Sequence, residues 1–323
     1  MSEFETKLER VGQLLVERRL DALLLRRVGS FAWATCGAAS YVNTADSYGA
    51  ASLLVTPTAR YLVTSNIEAP RLEPEEKLAE QGWQFQVAAW YDPQDLIARL
   101  TRGLRLGADG PYPGATELSA ELARLRAALL SEVQERFRFL GHLCAEAMDA
   151  AIRAVRPGQS EHQIAGRLAQ KAETRGVQGV VNLIATDERI LDFRQPLPTC
   201  RPLERYAMLV LCGRRHGLVC SLTRLVHFGR LPDELRGIAR AVARMDATFL
   251  DATRPGRTLG DVFRAVQAAY AEAGYADEWR LHHQGGLAGQ SGNEVLTAIP
   301  GWPFLAVELN GRTFERPAIL EVE

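Results

Sequence analysis

The sequence predicts two domains, an α/β domain over residues 1–128 and an α+β domain over residues 129–323. Three observations lead there. Short β-like runs alternate with helical ones through the first part of the chain. A long amphipathic helix pattern opens at Leu129. Beyond it, one helical unit occurs twice: Arg156-Pro157-Gly158 opens a run ending at Gly176, and Arg254-Pro255-Gly256 opens another of the same length ending at Gly274. Each run begins with a hydroxyl residue two places after the glycine, Ser160 and Thr258, and carries an apolar face at helical spacing. Two related halves in one domain generally face each other across a pseudo-two-fold axis and line a shared cleft.

In the first domain, Leu8, Val11, Leu14 and Leu15 lie at helical spacing and lead into Asp21-Ala22-Leu23-Leu24-Leu25, a helix feeding a buried strand. Ala51 to Val55 and Tyr61 to Thr64, separated by a turn with Pro57, read as a strand pair. Gln84 to Val87 and Leu104 to Gly107 are further short strands, with a helix around Pro93 to Leu100 between them. Gly107 to Gly114 holds glycines and two prolines and reads as a loop, and Thr116 to Arg126 as the closing helix.

The second domain opens on a helix from Leu129 to Val155, with Leu130, Val133, Phe137, Leu140, Leu143, Ala147 and Ile152 mostly three or four apart. Ser160 with Gln163 fits a capping box and Gly176 a C-terminal cap; Thr258 with Asp261 and Gly274 repeat the pattern. Between the copies Val180 to Ile184, Ala207 to Leu211 and Leu218 to Leu222 are β-like, the last two flanking a hairpin turn at Arg214 to Gly217. Further short strands run on to Glu323.

Composition is ordinary for a globular protein: 47% hydrophobic and 24% charged, with a net charge of −1. No basic stripe or aromatic ladder points to nucleic acid. The first residues lack an apolar signal core, and no apolar run approaches the ~20 residues that span a bilayer, so a soluble, cytoplasmic protein without a membrane partner is expected. Five scattered cysteines, Cys36, Cys144, Cys200, Cys212 and Cys220, form neither a CxxC pair nor an even set. They read as reduced thiols rather than a disulfide framework.

The order helix, Arg-Pro-Gly, helix, hairpin ending in Thr-Arg, repeat, His-rich glycine turn and C-terminal strands resembles the pita-bread fold of Xaa-Pro aminopeptidases, prolidases, methionine aminopeptidases and creatinase. The first domain resembles the creatinase-type N-terminal domain. The resemblance implies two divalent metals, manganese, cobalt or zinc, held by two Asp, one His and two Glu, which would turn a bridging water into hydroxide and polarise the scissile carbonyl. Carried onto this chain, the first Asp position is Leu211, or Cys212 with a one-residue shift, in Leu211-Cys212-Gly213. The second is Ser221 in Ser221-Leu222-Thr223-Arg224, which keeps Thr223 and Arg224. The His turn becomes His282-His283-Gln284-Gly285-Gly286, with Gly286 at the ligand position. One Glu position falls near Ala306, with Glu308 two residues on, and the other is Glu315. Such a set leaves about one ligand in five, too few charged oxygens for a hard dication. No metal or other cofactor is therefore expected; manganese, cobalt or zinc returns only under a different register. Creatinase works without metal through a histidine whose place here is Gln195, and glutamine exchanges no proton near neutral pH.

His282 is the candidate catalytic residue. Adjacent strand residues point to opposite faces, so at most one of His282 and His283 faces the cleft. Cys212, His216 and Cys220 read as buried thiols and a solvated turn histidine more readily than as a zinc set, and neither Cys200 nor Cys212 has an identifiable base beside it. Arg224 and Glu315 are expected to form an ion pair in the space left by metal, Asp187-Glu188-Arg189 and Arg194 a solvated loop, and Trp302-Pro303-Phe304 core packing. The resulting expectation is a homodimeric pita-bread protein without metal-dependent peptidase activity, leaning away from an enzyme, that binds a peptide or small molecule in the old cleft. A cleft packed by Leu211, Leu222 and Leu287 would fit that reading. The competing readings are an Xaa-Pro hydrolase with replacement ligands, a metal-free amidinohydrolase-like enzyme centred on His282, or a homologue with no retained activity.

Overall fold

The computed structural model describes residues 1–91, 95–254, 256–281 and the backbone of 319–322. The chain divides into two compact units. One is Met1–Glu132 with the hairpin tip His216–Leu218; the other holds 133–215 and the described residues from 219 onward.

The first unit starts with α1 (Glu3–Arg18), set by a capping box between Ser2 and Glu5 and ended by Arg19 in the left-handed region. Its sheet has the order β4-β3-β2-β1-β5-β6, formed by β1 (Ala22–Arg27), β2 (Tyr48–Val55), β3 (Arg60–Ser65), β4 (Gln84–Ala88), β5 (Leu106–Ala108) and β6 (Ala115–Glu117). The strand β1 pairs antiparallel with β2 and parallel with β5. Its run Ala22 to Leu25 is fully buried because both faces of the sheet are covered. On one face Leu23, Leu25, Leu53 and Leu62 pack with Val11, Leu14 and Leu15 of α1; on the other Ala22, Leu24 and Leu54 pack with Ile97 and Leu100 of α4 (Leu96–Leu100).

Three short elements escape the sequence reading: α2 (Val28–Ala34), α3 (Ala69–Leu72) and β6. The first is almost wholly apolar and buried, so it has no polar face from which a period could be read. The expected loop from Gly107 begins later, because Gly107 and Ala108 belong to β5. The closing helix likewise starts at Ser119 rather than Thr116 (α5, Ser119–Ala127), because Thr116 and Glu117 pair with β5. Long-range strand pairing overrides local propensity at both places.

The second unit opens with α6 (Ser131–Ile152) and α7 (Glu161–Glu173), followed by β7 (Gln178–Thr186), α8 (Arg189–Asp192), β8 (Tyr206–Arg215) and β9 (Leu218–Phe228). Then come α9 (Asp233–Ala252), α10 (Leu259–Glu272), a 3₁₀ turn over Glu278–Leu281, and β10 (Ile319–Val322), giving a sheet ordered β10-β9-β8-β7. His216 and Gly217 both have positive φ, 49° and 74°, which closes β8 onto β9 in a two-residue turn.

The two helical copies share local detail. Ser160 and Thr258 each close a capping box, with Gln163 and with Asp261. After each helix a backbone bond reaches back five residues, Val177 to Ala172 and Tyr275 to Tyr270, around Gly176 and Gly274 at φ 66° and 85°. The helix α9, absent from the sequence reading, precedes the second copy as α6 precedes the first.

Candidate functional site

The sheet β7-β8-β9 has two chemically distinct faces, because residues paired across antiparallel strands share a face and neighbours along a strand alternate. One face is packed by helices. Asn182 on β7 donates its amide to the Ala165 carbonyl of α7 at 2.9 Å, and its partner Leu211 is fully buried, as are Leu209 and Ala207. Gly213 lies on this face too. A methyl group there would come within 2.6 Å of Cys144 Sγ on α6 and 2.5 Å of Val177, so only glycine lets α6 approach. Cys144 and Cys220 share a hydrogen bond beneath it. That bond and burial push the Cys144 thiol up, while the same bond draws Cys220 down against the opposing effect of burial.

On the other face β7 contributes Val181, Leu183 and Ala185, which pair with Cys212, Val210 and Met208 of β8. Two contacts place β9 against them. Ser221 Oγ lies 3.0 Å from Cys212 Sγ, and the rings of Tyr206 and His227 are 5.8 Å apart. Thr223 and Leu225 alternate into the same face between Ser221 and His227. Ser221 and Thr223 are exposed. Burial raises the Cys212 thiol, with the Ser221 bond opposing it, and pushes Tyr206 up to about 12. His227 is buried, with Nδ1 3.2 Å from the Gly229 carbonyl oxygen.

This geometry separates the candidate residues. Leu211 sits on the helix face and Ser221 on the opposite one, so the residue standing across from Ser221 is Cys212, as in the shifted register. Leu211 and Leu222 are buried in the helix-side core rather than lining an open cleft. Cys212 and Cys220 lie on opposite faces and His216 is at the hairpin tip, so the three do not converge. Gln195 is exposed in the segment before β8, beside Arg194, which pairs with Glu278 at 3.1 Å. His282, Gly286, Leu287, Ala306, Glu308, Glu315 and the Trp302-Pro303-Phe304 stretch lie outside the described residues.

The expected Arg224–Glu315 pair involves a residue outside the described ones; among the described residues Arg224 has other neighbours. Its Nη1 donates to the Thr223 carbonyl at 2.8 Å, and its charged neighbours are Asp246 on α9 and Asp149 on α6. Burial lowers the Arg224 guanidinium, and the two aspartates oppose that shift. The protein packed around the Asp246 carboxyl raises it, although the residue as a whole is exposed, and Arg224 opposes the rise.

The segment before β8 is ordered by two carboxylates that the sequence reading did not single out as anchors. Glu161, fully buried at the start of α7, accepts hydrogen bonds from the backbone amide and hydroxyl of both Thr186 and Thr199 and pairs with Arg189. Burial pushes Glu161 up, but these bonds outweigh it and hold the carboxyl below the usual range. Asp187, at φ 53°, accepts from the amides of Glu204, Arg205 and Tyr206. Asp187 and Arg189 are therefore structural anchors rather than solvated loop residues. Buried charge at Glu161 was invisible in sequence because its partners lie 25 to 38 residues away.

A pair of hard divalent ions requires several charged oxygens in one place. The open face of β7, β8 and β9 offers apolar side chains, a thiol, two hydroxyls, a tyrosine and one histidine, and no carboxylate. Among the described residues no three His, Cys, Asp or Glu side chains are grouped so as to hold a metal ion. The residues present on these strands do not fit the dimetal group.

Comparison with known proteins places the chain. The chain is 29% identical over 159 residues to the uncharacterized hydrolase/peptidase y4tM of Sinorhizobium fredii, a match that covers 47% of this chain and 40% of that protein. Its fold is similar to that of the dipeptidase PepE from Mycobacterium ulcerans, with a TM-score of 0.73 at 17% identity, over 91% of this chain and 82% of that one. The prolidase from Pyrococcus furiosus is comparable, with a TM-score of 0.72 at 17% identity, over 88% and 84%. The description of metallopeptidase family M24 matches residues 135–316, more than half of the chain. With the pita-bread fold shared by these structures, the chain belongs to metallopeptidase family M24.

Proposed function

We propose that this protein is a peptidase-like member of its family that has lost most of the dimetal ligands and binds a peptide or small molecule in the cleft, without metal-dependent peptidase activity. The observation that carries this reading is the open face of β7, β8 and β9, where Cys212 and Ser221 face each other at 3.0 Å. The sequence likeness puts the family's two aspartates on these two strands. A thiol and a hydroxyl there supply no fixed negative charge at neutral pH, so they neither balance dications nor stabilise a metal-bound hydroxide. Val181, Leu183, Met208, Val210 and Leu225, all partly exposed, make the same face suited to apolar side chains, with Ser221 and Thr223 as its polar points. The pseudo-two-fold relation of the two helical copies and a homodimeric state belong to the same proposal, supported by the matching capping boxes and by the family likeness.

Metal stoichiometry tests it. The protein is incubated with manganese, cobalt and zinc, desalted and assayed by elemental mass spectrometry, and the same samples are given Xaa-Pro dipeptides. The expected outcome is no retained metal and no hydrolysis. Two tightly held ions per chain with Xaa-Pro cleavage would overturn the proposal and restore a peptidase built on replacement ligands. Metal-free hydrolysis abolished by His282→Ala would instead establish the amidinohydrolase-like alternative.

A further inference from the structure

We propose that the first unit carries a second binding site, for a phosphate dianion, formed by Arg26, Arg27 and Tyr48 where β1 and β5 end. In α/β sheets the crevice beyond the carboxyl ends of parallel strands is where ligands bind, and β1 and β5 are parallel neighbours ending at this point. A register shift between Leu25 and Arg27 breaks the regular pairing of β1 with β2 at these two consecutive arginines. Both guanidinium groups lie over the Tyr48 ring, at 4.9 Å for Arg26 and 5.8 Å for Arg27, and Arg26 is also 5.5 Å from the Tyr112 ring. Stacking on aromatic rings holds a guanidinium in place without using its hydrogen-bond donors.

The nearby carboxylates do not neutralise these charges. Asp109, 1% exposed, accepts the backbone amides of Arg26 at 3.0 Å and Arg27 at 2.8 Å, so it fixes the main chain. Asp95 acts on the Tyr112 hydroxyl, whose acidity burial and then Asp95 lower. Among the described residues neither Arg26 nor Arg27 makes an ion pair. Tyr48 and Arg27 close in on Gly110: a methyl group there would lie 2.6 Å from Tyr48 Oη, 3.3 Å from Arg27 Nε and 3.4 Å from Arg27 Nη2. The absence of a side chain at Gly110 thus lets the Tyr48 phenol and the Arg27 guanidinium come together at this point. Two guanidinium groups and a phenol match the two charges and several oxygens of a phosphate group better than the single charge of a carboxylate.

The test is the thermal midpoint of the full chain, titrated with inorganic phosphate and with acetate at matched ionic strength. Saturable stabilisation by phosphate and none by acetate is expected. Arg26→Gln and Arg27→Gln should each weaken the apparent phosphate affinity by roughly tenfold or more. Gly110→Ala, which keeps every charge, should weaken the response by displacing Tyr48 and Arg27. Lys at both arginine positions controls for folding and should keep a weakened, still saturable response. Equal effects of phosphate and acetate, or a phosphate response unchanged in Gly110→Ala and both glutamine variants, would overturn the site. The outcome is independent of metal retention in the second unit.

Discussion

Glu161 shows how much a single buried charge can organise. It is fully buried, it collects four hydrogen bonds from Thr186 and Thr199, and its ion-pair partner Arg189 is 15% exposed. Removing one partner of such a pair strands the other, so Glu161→Ala is expected to cost about 3–5 kcal/mol in urea denaturation. Its carboxyl is held below the reference value of 4.5. The stability it contributes is therefore present above that pH and is lost as pH falls through the lower folded value. Glu161→Gln should flatten this acid limb of the stability curve, and an unchanged limb would show that the bonds contribute nothing. At Cys212 and Leu211 the residue scale also separates two registers. Leu211→Asp places a charge in the helix-side core and should prevent folding. Cys212→Asp with Ser221→Asp should fold and be stabilised by manganese more than the parent protein, read as a shift in thermal midpoint.

At the scale of elements, the repeated helices depend on their first residues. Ser160→Ala and Thr258→Ala each remove a hydroxyl that accepts an N3 amide, at 3.2 Å and 3.1 Å, and each should cost about 0.5–2 kcal/mol in chemical denaturation. Comparable losses at the two sites would support equivalent roles in the two copies. Gly213 governs the packing of α6 on β8. An added methyl would meet Val177 and Cys144, and Gly213→Ala should cost about 1–3 kcal/mol by overpacking. The capped helices and long strands are legible in the sequence because their signals are local. In α9, Leu235, Ile238, Val242, Met245 and Phe249 recur at helical spacing, yet only Met245 of that helix is buried. The β5 and β6 boundaries are not legible locally because partner strands set them.

For the whole molecule, family membership rests on the order of elements and on residues 135–316. The expected homodimer is checked by light scattering coupled to size-exclusion chromatography, where a mass near twice 35.6 kDa is the predicted result. Among the described residues no helix is long and apolar enough to cross a membrane. The sequence by itself determined the family order, the two capping boxes, the hairpin and the absence of aspartate at Cys212 and Ser221, since these are properties of residue type and spacing. Which residues share a face was decided only by tertiary structure. Strand alternation sends side chains to opposite sides, and a one-residue shift exchanges the two faces. Tertiary structure put Cys212 and not Leu211 on the face of Ser221, and pairing across distant strands assembled the Glu161 anchor and the arginines around Tyr48.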